Sequence, residues 1–164
     1  MTESRTVPFE PPGVQWVAVS PNLTMARHVV LAATLGLPAV VLASAAVFLG
    51  GWFWLAAAVA GVGAIWGAFV VPRQVRAMGY AEREGDLLVR RGVMFRSLVV
   101  VPYGRMQFVD VQSGPLARAF GIARVQLHTA SPGTDASIPG LPPKEAERLR
   151  DRLAALGEAR LAGL

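Results

Sequence analysis

Residues 29–72 form a run of 44 positions without one Asp, Glu, Lys, Arg or His. A soluble fold has no use for so long an uncharged stretch. One bilayer crossing takes about 20 apolar residues, so the run has the length for two crossings and a tight turn. Gly50 and Gly51 stand near its middle, where the turn is needed. The expected spans are therefore residues 29–49 and 52–71. The first holds eleven Val, Leu or Phe residues. At about 0.3–0.6 kcal/mol each these favour insertion by about 3–6 kcal/mol, before Gly36 and Pro38 subtract. A cleaved signal peptide would need a basic stretch leading into a short apolar region, whereas here 28 mixed residues precede a much longer one.

The flanking charges set an orientation. Arg27 and His28 precede the first span, Arg73 and Arg76 follow the second, and the turn between them carries no basic residue. Basic flanks mark the cytoplasmic side, so both termini are expected there, in the cell membrane, with Trp52 and Trp54 in the opposite interfacial belt. No ionisable group lies within the spans, which removes the usual mark of ion pathways and proton relays. The second span carries small residues at four-residue spacing, Ala56, Ala60, Ala64 and Ala68, beside a GxxxG made by Gly63 and Gly67. Helices in lipid associate by close approach at such residues. Ala60, Gly63, Ala64 and Gly67 are thus candidate packing positions, either for the first span, with its Ala32, Gly36, Ala39 and Ala43, or for another membrane helix.

Only 16% of the whole chain is charged, against about 25% in soluble domains. Residues 73–164, however, hold 23 of the 27 charged residues and all of the net +5. The chain thus divides into an N-terminal cytoplasmic segment (1–28), a membrane hairpin (29–72) and a cytoplasmic domain (73–164). The domain reads as short alternating strands followed by a helix. Residues 80–84 and 87–95 flank a Gly85-Asp86 turn, and strands at 98–103 and 106–111 follow. Residues 113–121 read as a helical turn with Pro115 at its start, Leu116 and Phe120 on one face and Gly121 as the stop. Residues 122–130 alternate cleanly between apolar and polar, 131–134 are a turn, and 136–141 form a last strand. Pro142-Pro143 then opens an amphipathic helix with Ala146, Leu149, Leu153 and Leu156 on one side and Gly157 as the expected end. Strands closed by one helix suggest a small curved sheet or open barrel.

Several short motifs occur in order along this domain: Val101-Pro102-Tyr103-Gly104-Arg105-Met106-Gln107, then Val109-Asp110-Val111, then Gly114-Pro115-Leu116-Ala117-Arg118-Ala119-Phe120-Gly121, then residues 125–131. Together with Trp16 and Ser20-Pro21 they resemble the bacterial pleckstrin-homology-like (PH-like) membrane proteins of the YdbS-like group. The resemblance covers nearly the whole chain. It implies two spans ahead of a mainly-β, PH-like open barrel of about seven strands with a C-terminal amphipathic helix. Pro102, Tyr103, Arg105, Gln107, Gly114, Pro115, Leu116, Phe120 and Gly121 are its motif positions. PH domains that bind phosphoinositides concentrate basic residues around the loop joining their first two strands. The corresponding loop here is expected at residues 84–86, which is acidic, and this argues against that ligand. The resemblance implies no settled activity, and fold alone supplies none.

Chemistry-bearing patterns are sparse. The chain has no cysteine, which excludes disulfide scaffolds, cysteine zinc clusters and thiol enzymes. A triad from Ser113 or Ser131, His128 and Asp110 lacks a GxSxG elbow, and His128 stands on the wet side of its strand. Glu82 and Glu84 flank an exposed turn, the two histidines have no metal-ligand spacing, and no GxxxxGK[ST] loop is present. Arg90, Arg91, Arg96 and Arg105 cluster around the strands without interleaved exposed aromatics, which disfavours nucleic acid. They form either a solvated face or a contact for anionic headgroups, for which Arg27, Arg73 and Arg76 are the better placed.

The expectation is an integral membrane protein without catalysis or cofactor, whose domain is an interaction or assembly module. Its partners would be membrane lipids and another membrane protein or further copies of itself. An anionic-lipid-sensing module is the first alternative and a membrane-bound enzyme the weaker one. On alkaline carbonate extraction the protein is expected to stay in the membrane pellet; release into the supernatant would end the two-span reading.

Overall fold

A computed structural model describes residues 14–130 and 135–162. The elements run β1 (Val17–Ala18), α1 (Asn22–Leu31), a π-helical turn (Ala32–Gly36), α2 (Leu37–Leu49), α3 (Phe53–Arg76), β2 (Gly79–Glu82), β3 (Asp86–Arg91), β4 (Ser97–Pro102), a 3-10 turn (Tyr103–Arg105), β5 (Met106–Gln112), α4 (Pro115–Ala119), β6 (Ala123–Thr129), β7 (Ala136–Leu141) and α5 (Pro143–Ala162).

From Asn22 to Leu49 the chain is one continuous helical rod of 28 residues, and α3 has 24. At 1.5 Å per residue these are about 42 and 36 Å long, more than the roughly 30 Å of a bilayer's hydrocarbon. Both therefore extend past the expected spans on the side of the domain. Their apolar windows have mean hydropathy 2.2 and 2.0 and are only 6% buried, unlike the core helices of a soluble protein, so the exposed faces call for lipid. Gly50 and Gly51 make the turn at φ 64° and 63°, in the left-handed region that side-chain-bearing residues avoid. Pro38 lacks an N–H, and its ring crowds the carbonyl four residues back. The helix widens just ahead of it, where Leu37 N–H bonds Ala32 O, five residues back.

Ala46 and Ala57 are buried where the two rods pack. A Cβ on Gly67 would lie 2.7 Å from Leu31 Cδ1, and one on Gly63 would lie 3.6 Å from Leu35 Cδ1. The GxxxG face of α3 thus receives leucines of the first rod. Ala60 and Ala64 are half-buried on the same side, while Ala68 is exposed.

The domain has two antiparallel sheets, β1-β2-β3-β4 and β5-β6-β7. Their inner faces share one core, with Tyr80, Leu87, Val89 and Val101 from the first sheet and Val125, Leu127, Ile138 and Leu141 from the second. Helix α5 closes the sandwich with Ala146, Leu149 and Leu153, each fully buried. The alternation of β6 is as the sequence implies, with Ala123, Val125, Leu127 and Thr129 inside. This is a PH-like architecture, open rather than a closed barrel.

Residues 14–28, ahead of the hairpin, belong to this domain. Val17 pairs with Tyr80 and Ala18 with Gly79, so β1 is the first strand of the four-stranded sheet. Ser20 N–H donates to Gly140 O at 2.8 Å. Val19, Leu23 and Ala26 join the core. Leu23 rests on Gly140, which has φ 75° and where a Cβ would come within 2.8 Å of it. The first rod is thus a domain helix at one end and a membrane span at the other.

Local boundaries differ from the sequence reading in four places. The turn after β2 takes four residues, 83–86, because Glu82 pairs with Leu87. The expected strand 87–95 stops at Arg91, since Gly92 has φ 97° and Val93, Met94 and Phe95 swing out. In α4 it is Ala117 and Phe120 that pack inward, while Leu116 is exposed. Gly157 does not end α5, which continues to Ala162. Gly157 is instead buried within the helix, facing Tyr103 and Met106. The turn expected at 131–134 lies outside the described residues.

Leu23→Ala is expected to destabilise the domain by about 2–5 kcal/mol, as other buried Leu→Ala changes do. The neighbouring Met25→Ala, at a 60% exposed position, should leave it unchanged. Thermal unfolding or protease resistance of the reconstituted protein checks the pair.

Candidate functional site

Where α3 ends, the chain passes through Ala77 and Met78 straight into β2, and β3 runs back antiparallel with Arg90 opposite Gly79. This register returns the end of β3 to the last turn of α3. The 92–96 turn, closed by Arg91 opposite Ser97, then projects beyond it. The result is an open cleft of about 380 Å³ walled by Arg73 and Arg76 on one side and Arg90, Arg91 and Arg96 on the other. No carboxylate is among its lining residues. Arg73 also donates from Nη1 to Phe69 O at 3.1 Å. Arg90 lies with its guanidinium carbon 4.5 Å from the centre of the Trp16 ring, a cation–π contact that holds it to the N-terminal segment.

A second cleft, of about 270 Å³, shares Arg90 and Arg91 and adds Arg27 and Arg124. Arg27 is half-buried and donates to Gln74 Oε1 at 3.4 Å and to Met78 Sδ at 3.8 Å. Seven arginines thus gather around one end of the domain. For a bilayer around α2 and α3 this end lies at headgroup level: Arg73 is two residues past Val71, a rise of about 3 Å, and the headgroup layer is about 5–7 Å deep.

The far end of the domain carries paired charges of both signs. Glu82, Glu84 and Asp86 surround the 83–86 turn together with Arg83 and Arg152. Arg148 binds Glu82 Oε1 at 2.8 Å and Glu145 Oε1 at 2.7 Å, Arg152 Nε reaches Glu82 Oε2 at 2.9 Å, and Tyr80 OH donates to Glu145 Oε1 at 2.7 Å. The hydrogen bond from Arg148 holds the Glu145 carboxyl below its usual range; burial opposes it, and the Tyr80 hydroxyl adds a smaller lowering. Burial, and then the bond to Glu145, pushes the Tyr80 phenol well above its usual range. Strand β3 therefore runs from an acidic, ion-paired end at Asp86 to a basic end at Arg91.

The structure brings the three sequence-predicted lipid contacts to this basic end, Arg73 and Arg76 in the first cleft and Arg27 in the second. It joins to them Arg90, Arg91 and Arg96, whose convergence depends on strand register, and Arg124 from the other sheet. Arg105 stands apart in the 3-10 turn.

The motif positions hold turns and core. Tyr103 is fully buried, donates its hydroxyl to Arg83 O at 2.9 Å and its N–H to Gly85 O at 3.2 Å, and so secures the acidic turn. Pro102 ends β4, Gln107 is the bulged residue of β5, Gly114 and Pro115 start α4, and Gly121 follows it at φ 61°. Ser113 Oγ donates to Ile122 O at 3.0 Å, Asp110 accepts from Gln112, and His128 pairs with Asp135 at 3.4 Å while stacking on Phe108. Ser113 and Asp110 are thus bonded elsewhere, so the triad sketched from Ser113, His128 and Asp110 is not assembled, and Ser131 lies outside the described residues.

The expected equivalence of the 84–86 turn with the loop joining the first two strands of a PH domain is corrected by the topology. With β1 contributed from before the hairpin, the connection from the first strand to the second is the membrane hairpin itself. The arginines therefore stand at the base of the connection between the first and second strands of this sheet, while the acidic turn joins its second and third.

Two apolar helices carrying a PH-like domain define an integral membrane protein with its domain held at the bilayer surface. A family model described as "Bacterial PH domain" matches residues 26–157, and the chain belongs to that family. It is 32% identical over 108 residues to the UPF0699 transmembrane protein YdbS of Bacillus subtilis (strain 168), covering 63% of this chain and 67% of that protein. No solved structure matches the chain.

The Glu145 linkage has a definite sign. A carboxyl held below its usual range stabilises the fold above that range and loses this contribution as pH falls through the lowered value. Stability should therefore begin to decline below the ordinary glutamate value of about 4.3. In Glu145→Gln that part of the decline should be absent, as read from thermal unfolding against pH.

Proposed function

We propose that this protein is a non-catalytic membrane module whose PH-like domain binds the anionic headgroups of the leaflet from which α3 emerges, with both termini on the cytoplasmic side. The observation that carries this is the cleft at the end of the domain where α3 emerges, in which Arg73, Arg76, Arg91 and Arg96 converge. Among the described residues no carboxylate pairs with Arg73, Arg76, Arg91 or Arg96. Like charges held together repel, and a phosphate relieves the repulsion while accepting paired guanidinium hydrogen bonds. The far end, whose carboxylates are paired with Arg83, Arg148 and Arg152, offers no comparable excess of positive charge, so an anionic surface attracts the α3 end of the domain.

The assembly reading has a narrower support. Phe108, 57% exposed, stacks on His128 with ring centres 4.3 Å apart, on the side of β5 and β6 away from the core. One exposed aromatic pair is less than a stable interface needs.

The test uses the full chain in nanodiscs with increasing phosphatidylglycerol in phosphatidylcholine, counting lipid retained after detergent release by native mass spectrometry. Each arginine near an anionic surface is worth about 1 kcal/mol, so Arg91→Gln with Arg96→Gln should weaken phosphatidylglycerol retention by about 30-fold. High salt should weaken it in the parent protein as well. Equal retention of both lipids, or no change in the double variant, would overturn the reading.

A further inference from the structure

Charge does not account for the tip of the β3–β4 turn. Met94 and Phe95 are each 83% exposed and Val93 is 44% exposed, three consecutive apolar residues turned outward. Outside the spanning helices no large apolar side chain among the described residues is as exposed as Met94 and Phe95; the lipid-facing Phe48 on α2, at 88%, is comparable. A soluble turn is built from polar residues and Gly. This one is apolar at its tip and basic at its shoulders, Arg91 on one side and Arg96 on the other.

The turn's shape is built in. Gly92 has φ 97°, and a Cβ there would collide with the carbonyl oxygen of Phe95, so the backbone folds back on itself only because that residue is Gly. The fold presents the three side chains outward rather than leaving them on the strand.

The surroundings say what covers them. Val93 and Gly92 line the same cleft as Arg73 and Arg76, the residues at which α3 leaves the bilayer. The turn projects past Arg91, and β3 runs toward the membrane end of the domain. The tip is therefore at the level of the boundary that α3 itself crosses. Apolar groups between basic shoulders suit that depth, where acyl chains meet anionic phosphates.

We propose that Val93, Met94 and Phe95 insert into the boundary between headgroups and acyl chains beside α3, making a third attachment of the protein to its membrane. This shares with the headgroup reading the placement of the domain's basic end at the bilayer surface, but it needs no anionic lipid. Its consequence is orientational: the inserted tip adds a third point of contact to the two rods that already hold the domain against the bilayer. Arg91 and Arg96 are then held among the headgroups, not above them.

The chain has no cysteine, so single spin labels report one site each. Met94→Cys and, as the control in the acidic turn, Glu84→Cys are labelled in the full chain, reconstituted in phosphatidylcholine and in phosphatidylcholine with phosphatidylglycerol. Collision rates with oxygen, which concentrates in lipid, and with a water-soluble nickel chelate are compared. At position 94 the oxygen-to-nickel ratio should exceed that at 84 several-fold in both lipids, and Phe95→Asp in the Met94→Cys background should lower it toward the control. A ratio at 94 equal to the control overturns the insertion, and so does a label shielded from both reagents, which reports burial against protein. Insertion in both lipids with no preference for phosphatidylglycerol in the retention assay would sustain this inference while the headgroup reading failed.

Discussion

The structure depends on a strand pairing only two residues long. Val17 opposite Tyr80 and Ala18 opposite Gly79 close the base of the membrane hairpin, so the hairpin is an insertion between two neighbouring strands of one sheet. A domain hung on a linker would be free to tumble. Here both ends of the hairpin enter the domain directly, the first rod through Leu23 and Ala26 in the core and α3 through Val75. The domain's position at the membrane follows from backbone hydrogen bonds and core packing.

That closure also sets the electrostatics. β2 leaves the membrane and β3 returns to it, so the ends of β3 lie at different distances from the bilayer. The acidic end is neutralised by its own ion pairs, through Arg148 and Arg152 on α5. The basic end meets Arg73 and Arg76, which gather more positive charge instead of relieving it. The fold pairs the carboxylates of one end internally and gathers arginines without a carboxylate among the cleft's lining residues at the other, which is the physical basis for the headgroup proposal.

Much of this was legible in the sequence. The 44-residue uncharged run implied the two helices, and the alternation of β6 implied its buried face, because each pattern is complete within a window of neighbouring residues. The motif around Tyr103 and the Gly114-Pro115 start of α4 were legible for the same reason. The strand at Val17–Ala18 was not: two residues carry no period, and their partner is more than sixty residues away. The 84–86 turn therefore follows the second strand of the sheet and not the first. The end of β3 was also misread, since the apolar run Val93-Met94-Phe95 continues a strand's composition while Gly92 breaks its path.

By itself, the sequence determined that this chain has two membrane helices and a separate charged domain of strands and one helix, since hydropathy and periodicity are local and the bilayer is an unforgiving solvent. Tertiary structure alone decided that the strand Val17–Ala18 and the start of the first rod complete that domain. It also decided that arginines from α3, β3 and the following turn share one cleft. Both are matters of register, and register is settled by which faces are buried together across the whole fold, information that no single stretch of residues contains.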